Sequence, residues 1–205
     1  MNFRAKCMLI IFHPLDCFDI IKRERCRRDI LVAGVFYFLA FVLNYGYIFA
    51  VHFPLSTQNP VDANLLLEAA MVVIPLFSWV VGSYLITSIM SGESGFFDVF
   101  VSSSYCLTPY IVLMPAVALL SQILSTKEAM VFNTLRGFVI LWMLILLLAA
   151  LQRLNDYSAA KTVIVAILSV AAIVIIWAIC LLILSLTVQL VFFFTGIMQE
   201  FKFKL

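Results

Sequence analysis

Five long stretches nearly free of charge alternate with short polar segments along this chain. They run about 30–53, 69–90, 105–123, 137–151 and 163–184. A helix needs roughly 20 apolar residues to cross a hydrocarbon core about 30 Å thick. The pattern therefore predicts five transmembrane helices. The last stretch belongs to a longer uncharged run, Thr162 to Met198. That run is too long for one span and too short for two with a turn between them. Its helix is expected to continue past Phe192–Phe194, to about residue 198. A shorter periodicity precedes the first span. Leu15, Phe18 and Ile21 recur at helical spacing behind Pro14, with Asp16, Asp19 and Arg23 elsewhere on the circumference. Proline suits the first turn of a helix. The expected element is an amphipathic helix lying on the inner leaflet. The fold class is thus an all-α integral membrane protein: five transmembrane helices with a short N-terminal amphipathic interfacial helix. Residues 1–28 form the basic, amphipathic cytoplasmic segment and residues 29–205 the five-span membrane domain.

Composition supports the class. Charged residues make up 12% of the chain, about half the share of a soluble domain, and mean hydropathy is +1.14. Orientation follows from the placement of Lys and Arg, which favour cytoplasmic loops. Arg4, Lys6, Lys22, Arg23, Arg25, Arg27 and Arg28 precede the first span, and Arg153 and Lys161 share their side. Lys127, Arg136, Lys202 and Lys204 fall on the other side. The balance places the N-terminus inside and the C-terminus outside. It puts segments 91–104 and 152–161 together in the cytoplasm. A net charge of +2 gives no reason to expect a nucleic-acid partner. The five cysteines form no C-x-x-C pair and no metal-ligand spacing with histidine, so reduced thiols are expected and no metal or cofactor.

No Asp, Glu, Lys or Arg lies within the five cores as bounded here, which argues against a pump or proton-coupled carrier. Asn44, His52 and Gln189 are the polar exceptions, read as packing or interface residues. Pro75 interrupts the second span, and Pro109 and Pro115 the third. Bent helices of this kind arise as ordinary kinks or frame a cavity. Ser78 and Gly82 make a small-xxx-small pair for close helix packing.

The segment Gly92-Glu93-Ser94-Gly95 raises the question of chemistry. It has the G-x-S-G form of intramembrane serine proteases of the rhomboid kind. That chemistry needs a histidine within reach of the serine. His52 is expected at the opposite membrane face and His13 outside the bundle, so no protease is expected. The nucleophile-elbow pattern fails because residue 96 is Phe, and a phosphate cradle would need a lysine. Instead, Glu93 and Asp98 are expected to face Arg153, Asn155, Asp156 and Tyr157 in one polar patch. Gly92 and Gly95 would permit a tight turn. Phe96, Phe97 and Phe100 would return the chain to the interface. Helix capping and partner binding both suit such a patch.

Four pieces in order carry a family resemblance. They are His13-Pro14 with Phe18, Gly92-Glu93-Ser94-Gly95-Phe96 with Asp98, Tyr105 with Thr108-Pro109-Tyr110, and Asn155-Asp156-Tyr157-Ser158. The chain resembles the Yip domain family, five-span membrane proteins named for binding Ypt/Rab GTPases, and more closely its bacterial branch. The resemblance implies an N-in five-helix bundle without known catalytic activity. Eukaryotic members carry a long cytosolic N-terminal region and an Asp-Leu-Tyr-Gly-Pro motif before the first span. Neither stands here, so Rab binding is not carried over. The expected role is a non-enzymatic scaffold or adaptor in a bacterial cytoplasmic membrane. Its candidate interaction face comprises Gly92, Glu93, Gly95, Asp98, Pro109, Asn155, Asp156 and Tyr157. Expected partners are the lipid bilayer and another membrane or cytoplasmic protein, with a homo-oligomer allowed. The alternative is a small permease or an accessory subunit of a transporter.

Overall fold

The computed structural model describes residue 10 and residues 14–23, 27–51 and 64–203. His13, His52, Cys7 and Cys26 lie outside the described residues. The described residues form α1 (Pro14–Arg23), α2 (Arg27–Ala50), α3 (Leu65–Ile89), α4 (Phe96–Tyr105), α5 (Thr108–Leu120), α6 (Ala129–Leu154) and α7 (Ala159–Phe203). A single 3-10 turn, Thr126–Glu128, leads into α6. Five segments are long and apolar enough to cross a membrane: Asp29–Ala50, Leu65–Ile89, Phe96–Leu120, Ala129–Leu154 and Ala159–Thr195.

The third span differs most from its sequence expectation. It starts at Phe96 rather than near residue 105, so the expected 91–104 loop shrinks to Ser91–Gly95. Its first half is rich in serine, which lowers hydropathy. Two of its three serine hydroxyls are nonetheless satisfied within the helix. Ser102 Oγ donates to Val99 O at 3.0 Å and Ser104 Oγ to Val101 O at 2.6 Å. Back-bonding of this kind lets serine sit inside a helix. The span breaks at Cys106-Leu107. There Pro109 has no N–H to offer Tyr105 O, and Thr108 Oγ1 supplies the missing donor at 2.6 Å. More than half of this span's apolar window is buried, against less than a third in every other span. It is the centre of the bundle.

Two ends of the bundle can be told apart. At one end lie α1 and the tight connections α3–α4 and α6–α7. At the other, Gln122 Nε2 donates to Ala50 O at 2.5 Å, joining the ends of α2 and α5. The amphipathic helix α1 is present, and its apolar face is covered by protein. Cys17, Phe18 and Ile21 are buried against Phe36, Val101, Tyr105, Leu146 and Ala150, whereas Leu15 is exposed. Helix α7 crosses α3 where side chains are smallest. A methyl group added at Gly82 would meet Ile173 Cγ1 at 2.5 Å and Ser169 O at 3.2 Å. One turn away, Trp177 Nε1 donates to Ser78 Oγ at 3.0 Å. With its 45 residues, α7 is about 67 Å long at 1.5 Å per residue. Its large apolar side chains from Ile179 to Phe194 are exposed.

Candidate functional site

Helices α3 and α6 end side by side, and both end in the same way. After α3, Ser91 takes a left-handed conformation (φ 56°) and Gly92 N–H donates back to Thr87 O at 2.7 Å. After α6, Asp156 does so (φ 50°) and Tyr157 N–H donates to Gln152 O at 3.1 Å. These are two Schellman caps, each with a non-glycine residue where glycine is usual. The expected role of Gly92 and Gly95 as residues with special backbone angles is therefore corrected, because neither has a positive φ. Gly92 is needed for space. A β-carbon there would stand 2.7 Å from Tyr157 Oη and 2.9 Å from Thr87 O, and would collide with Asn155 Oδ1.

The caps are stitched together by the very residues that the two sequence motifs supply. Asn155 Oδ1 accepts from Ser94 N–H at 3.2 Å and from Ser94 Oγ at 2.8 Å. Its amide nitrogen donates to Leu151 O at 3.0 Å, satisfying a carbonyl at the end of α6. Tyr157 Oη reaches across to Met90 O at 3.2 Å, and Lys161 Nζ donates to the same carbonyl at 3.0 Å. The lysine also lies 4.0 Å from the centre of the Tyr157 ring, a cation–π distance. A cation at the C-terminus of α3 opposes the negative end of that helix dipole. Burial pushes the Tyr157 phenol up from its ordinary pKa, which keeps it a hydrogen-bond donor. Asp98 caps α4 by accepting from Gly95 N–H at 2.9 Å.

Two carboxylates remain turned outward. Glu93 and Asp156 are each two-thirds exposed, and Lys22 of α1 bridges them, 2.9 Å from Glu93 and in close contact with Asp156. The two carboxylates raise the Lys22 pKa, Asp156 the more strongly. Arg153 and Asp19 face each other at 4.0 Å beside this bridge. Seven of the eight expected face residues thus gather at one end of the bundle. Pro109 does not join them: it is buried inside the third span, where it sets the break before α5. Phe96 packs edge-on against Tyr84 with ring centres 5.5 Å apart, within the helix rather than in a returning loop.

Lys22, Ser94 and Lys161 were not among the expected face residues. For Lys161 a signal existed. A lysine in the first turn of a helix opposes the dipole of its own helix, so it had reason to find another partner. Lys22 was legible only as the start of the basic run to Arg28, which fits inner-leaflet anchoring or an acidic partner and does not point to Glu93 and Asp156.

No group of three His, Cys, Asp or Glu side chains among the described residues is placed to hold a metal ion. A cavity of about 450 Å³ lies between α3 and α7, lined by residues such as Phe77, Val81 and Trp177. One of about 220 Å³ lies between α2, α3 and α4. Both are half-open and almost wholly apolar, and neither is lined by Pro75, Pro109 or Pro115.

Five apolar helices around a doubly capped, polar loop end define a multi-pass membrane protein. The chain belongs to the Yip1 domain family: the Yip1 domain model matches residues 8–181. This is not a known enzyme family. No curated protein and no solved structure matches the chain.

Proposed function

We propose that this chain is a non-enzymatic scaffold or adaptor of the Yip type, which organises a membrane protein complex through the loop end of its bundle. The carrying observation is the outward pair Glu93 and Asp156, each fixed by its own helix cap and both reached by one lysine. Most of the polar atoms of this end are consumed in holding α3, α4, α6 and α7 together. These two carboxylates are not. They form a small, rigid acidic surface, and α1 closes against it through Lys22 and Asp19. A cationic segment of a partner protein would take the place of the Lys22 ammonium, at low cost because that bridge is partly exposed. The Lys and Arg distribution supports a cytoplasmic position for this end, with the C-terminus outside, and the resemblance to the family's bacterial branch is the support for a bacterial cytoplasmic membrane.

Photo-crosslinking in native membranes tests this reading. A photoreactive residue at position 93 should label a protein partner. The same residue at position 97, where Phe97 is exposed on the span, should label lipid only. Equal protein labelling from both positions, or none from position 93, would overturn it.

A further inference from the structure

At the opposite end of the bundle, one cation lies inside a span. Arg136 stands seven residues into α6, about 10 Å from its start. The hydrophobic pattern starts the fourth apolar stretch just beyond this residue, at Gly137, and places Arg136 in the loop before it. The structure instead sets it on the inward stripe of the helix, between buried Phe132 and Val139. An ionisable residue at such a place is costly and usually has a purpose. Its guanidinium stacks over the Tyr47 ring, 5.5 Å from the ring centre. Among the described residues no carboxylate pairs with it: the ion pairs there are those of Lys22 and of Arg153.

The neighbours of Arg136 share one property. Tyr47 Oη is buried and finds no hydrogen-bond partner among the described residues. Tyr110 Oη donates to Asn44 Oδ1 at 3.1 Å, which fixes the oxygen side of that amide and leaves its NH2 group as a donor. Tyr110 and Tyr47 both pack against the buried cluster that holds Phe132 and Val139, the residues flanking Arg136 on its stripe of the helix. The cluster therefore offers a guanidinium, a phenol O–H and an amide NH2, and among the described residues no carboxylate faces them. A group with several acceptor oxygens and a negative charge completes it. Arginine matches phosphate in this way, with two parallel N–H···O bonds.

We infer that Arg136, Tyr47 and Asn44 form a binding site for the phosphate of an anionic phospholipid headgroup. The depth of the site favours lipid over a soluble anion, because the flanking Leu135 and Phe138 are exposed on the surface of an apolar span. The choice of an acidic lipid follows from charge, since a zwitterionic headgroup would bring its own cation towards Arg136.

The test is native mass spectrometry of the delipidated full-length protein with phosphatidylglycerol, phosphatidylcholine or inorganic phosphate. The wild type should retain phosphatidylglycerol in preference to phosphatidylcholine. Arg136→Gln should weaken retention by about ten- to a hundredfold, the worth of hydrogen bonds to a charged group. Tyr47→Phe keeps the ring and removes the hydroxyl. It should weaken retention by about two- to tenfold, and it carries the test if Arg136→Gln fails to fold. Equal phosphatidylglycerol retention by the wild type and the folded variants would overturn the site. Displacement of the lipid by inorganic phosphate at similar concentration would overturn the lipid as its source.

Discussion

Replacing Gly92 by alanine isolates the close packing of the two caps. The added methyl would stand 2.7 Å from Tyr157 Oη and 2.9 Å from Thr87 O, and against Asn155 Oδ1. Thr87 O is backbone and cannot swing aside, so the tyrosine and asparagine must move. Overpacking of this kind costs about 1–3 kcal/mol. Displacing Tyr157 also weakens its bond to Met90 O, worth about 1 kcal/mol. The expected loss is about 2–4 kcal/mol. Gly95→Ala is the matched control. Its methyl would meet only Asp98 Oδ2, at 3.3 Å, on a side chain that can give way. Losing glycine at this N-cap costs about 1 kcal/mol or less. The assay is unfolding in mixed micelles followed by tryptophan fluorescence. If Gly95→Ala is as destabilising as Gly92→Ala, or if Gly92→Ala is silent, the stitched-cap account of this end is wrong.

Other variants probe the same end. Asn155→Ala removes the acceptor for Ser94 N–H and leaves Leu151 O without its partner. It should cost about 1–3 kcal/mol in the same unfolding assay, more than Ser94→Ala, which should also keep whatever complex the wild type forms. Ser91→Gly should stabilise by about 1 kcal/mol, because glycine accepts a φ of 56° without strain. The Lys22 bridge has a definite pH sign. Its folded pKa is raised by Asp156 and Glu93, so its contribution is complete below the ordinary lysine range and is lost as pH rises through the raised value. Hydrogen exchange of α1, relative to the intrinsic rate at each pH, should therefore lose a few-fold of protection above about pH 10.5, whereas in Lys22→Gln that loss should be present already at neutral pH.

Much of the architecture was legible because a membrane span announces itself by length and lack of charge. The spans were misjudged where charge or hydroxyl groups lie inside a helix. Ser102 to Ser104 read as loop, yet two of these hydroxyls bond to carbonyls one turn back. Arg136 read as part of the loop before the fourth span, yet it stacks on Tyr47 within the bundle. The candidate face was legible as two motifs, but not as one structure. Spacing cannot show that Asn155 holds Ser94, since the two are 61 residues apart. The glycines were legible as special but for the wrong reason: Ser91 and Asp156 take the left-handed angles, and Gly92 makes room. Pro109 was grouped with the face by motif alone, whereas a buried proline inside the central span shapes the helix.

The most direct test of the docking account is a pull-down from native membranes. It compares the wild type with a Glu93→Gln/Asp156→Asn variant at equal expression. These changes keep side-chain shape and leave the Asn155 and Tyr157 cap bonds in place, so both proteins should unfold at nearly the same point. The account predicts a protein complex captured with the wild type and lost with the variant. The same complex recovered with both would contradict it and leave the acidic pair with no role beyond anchoring α1.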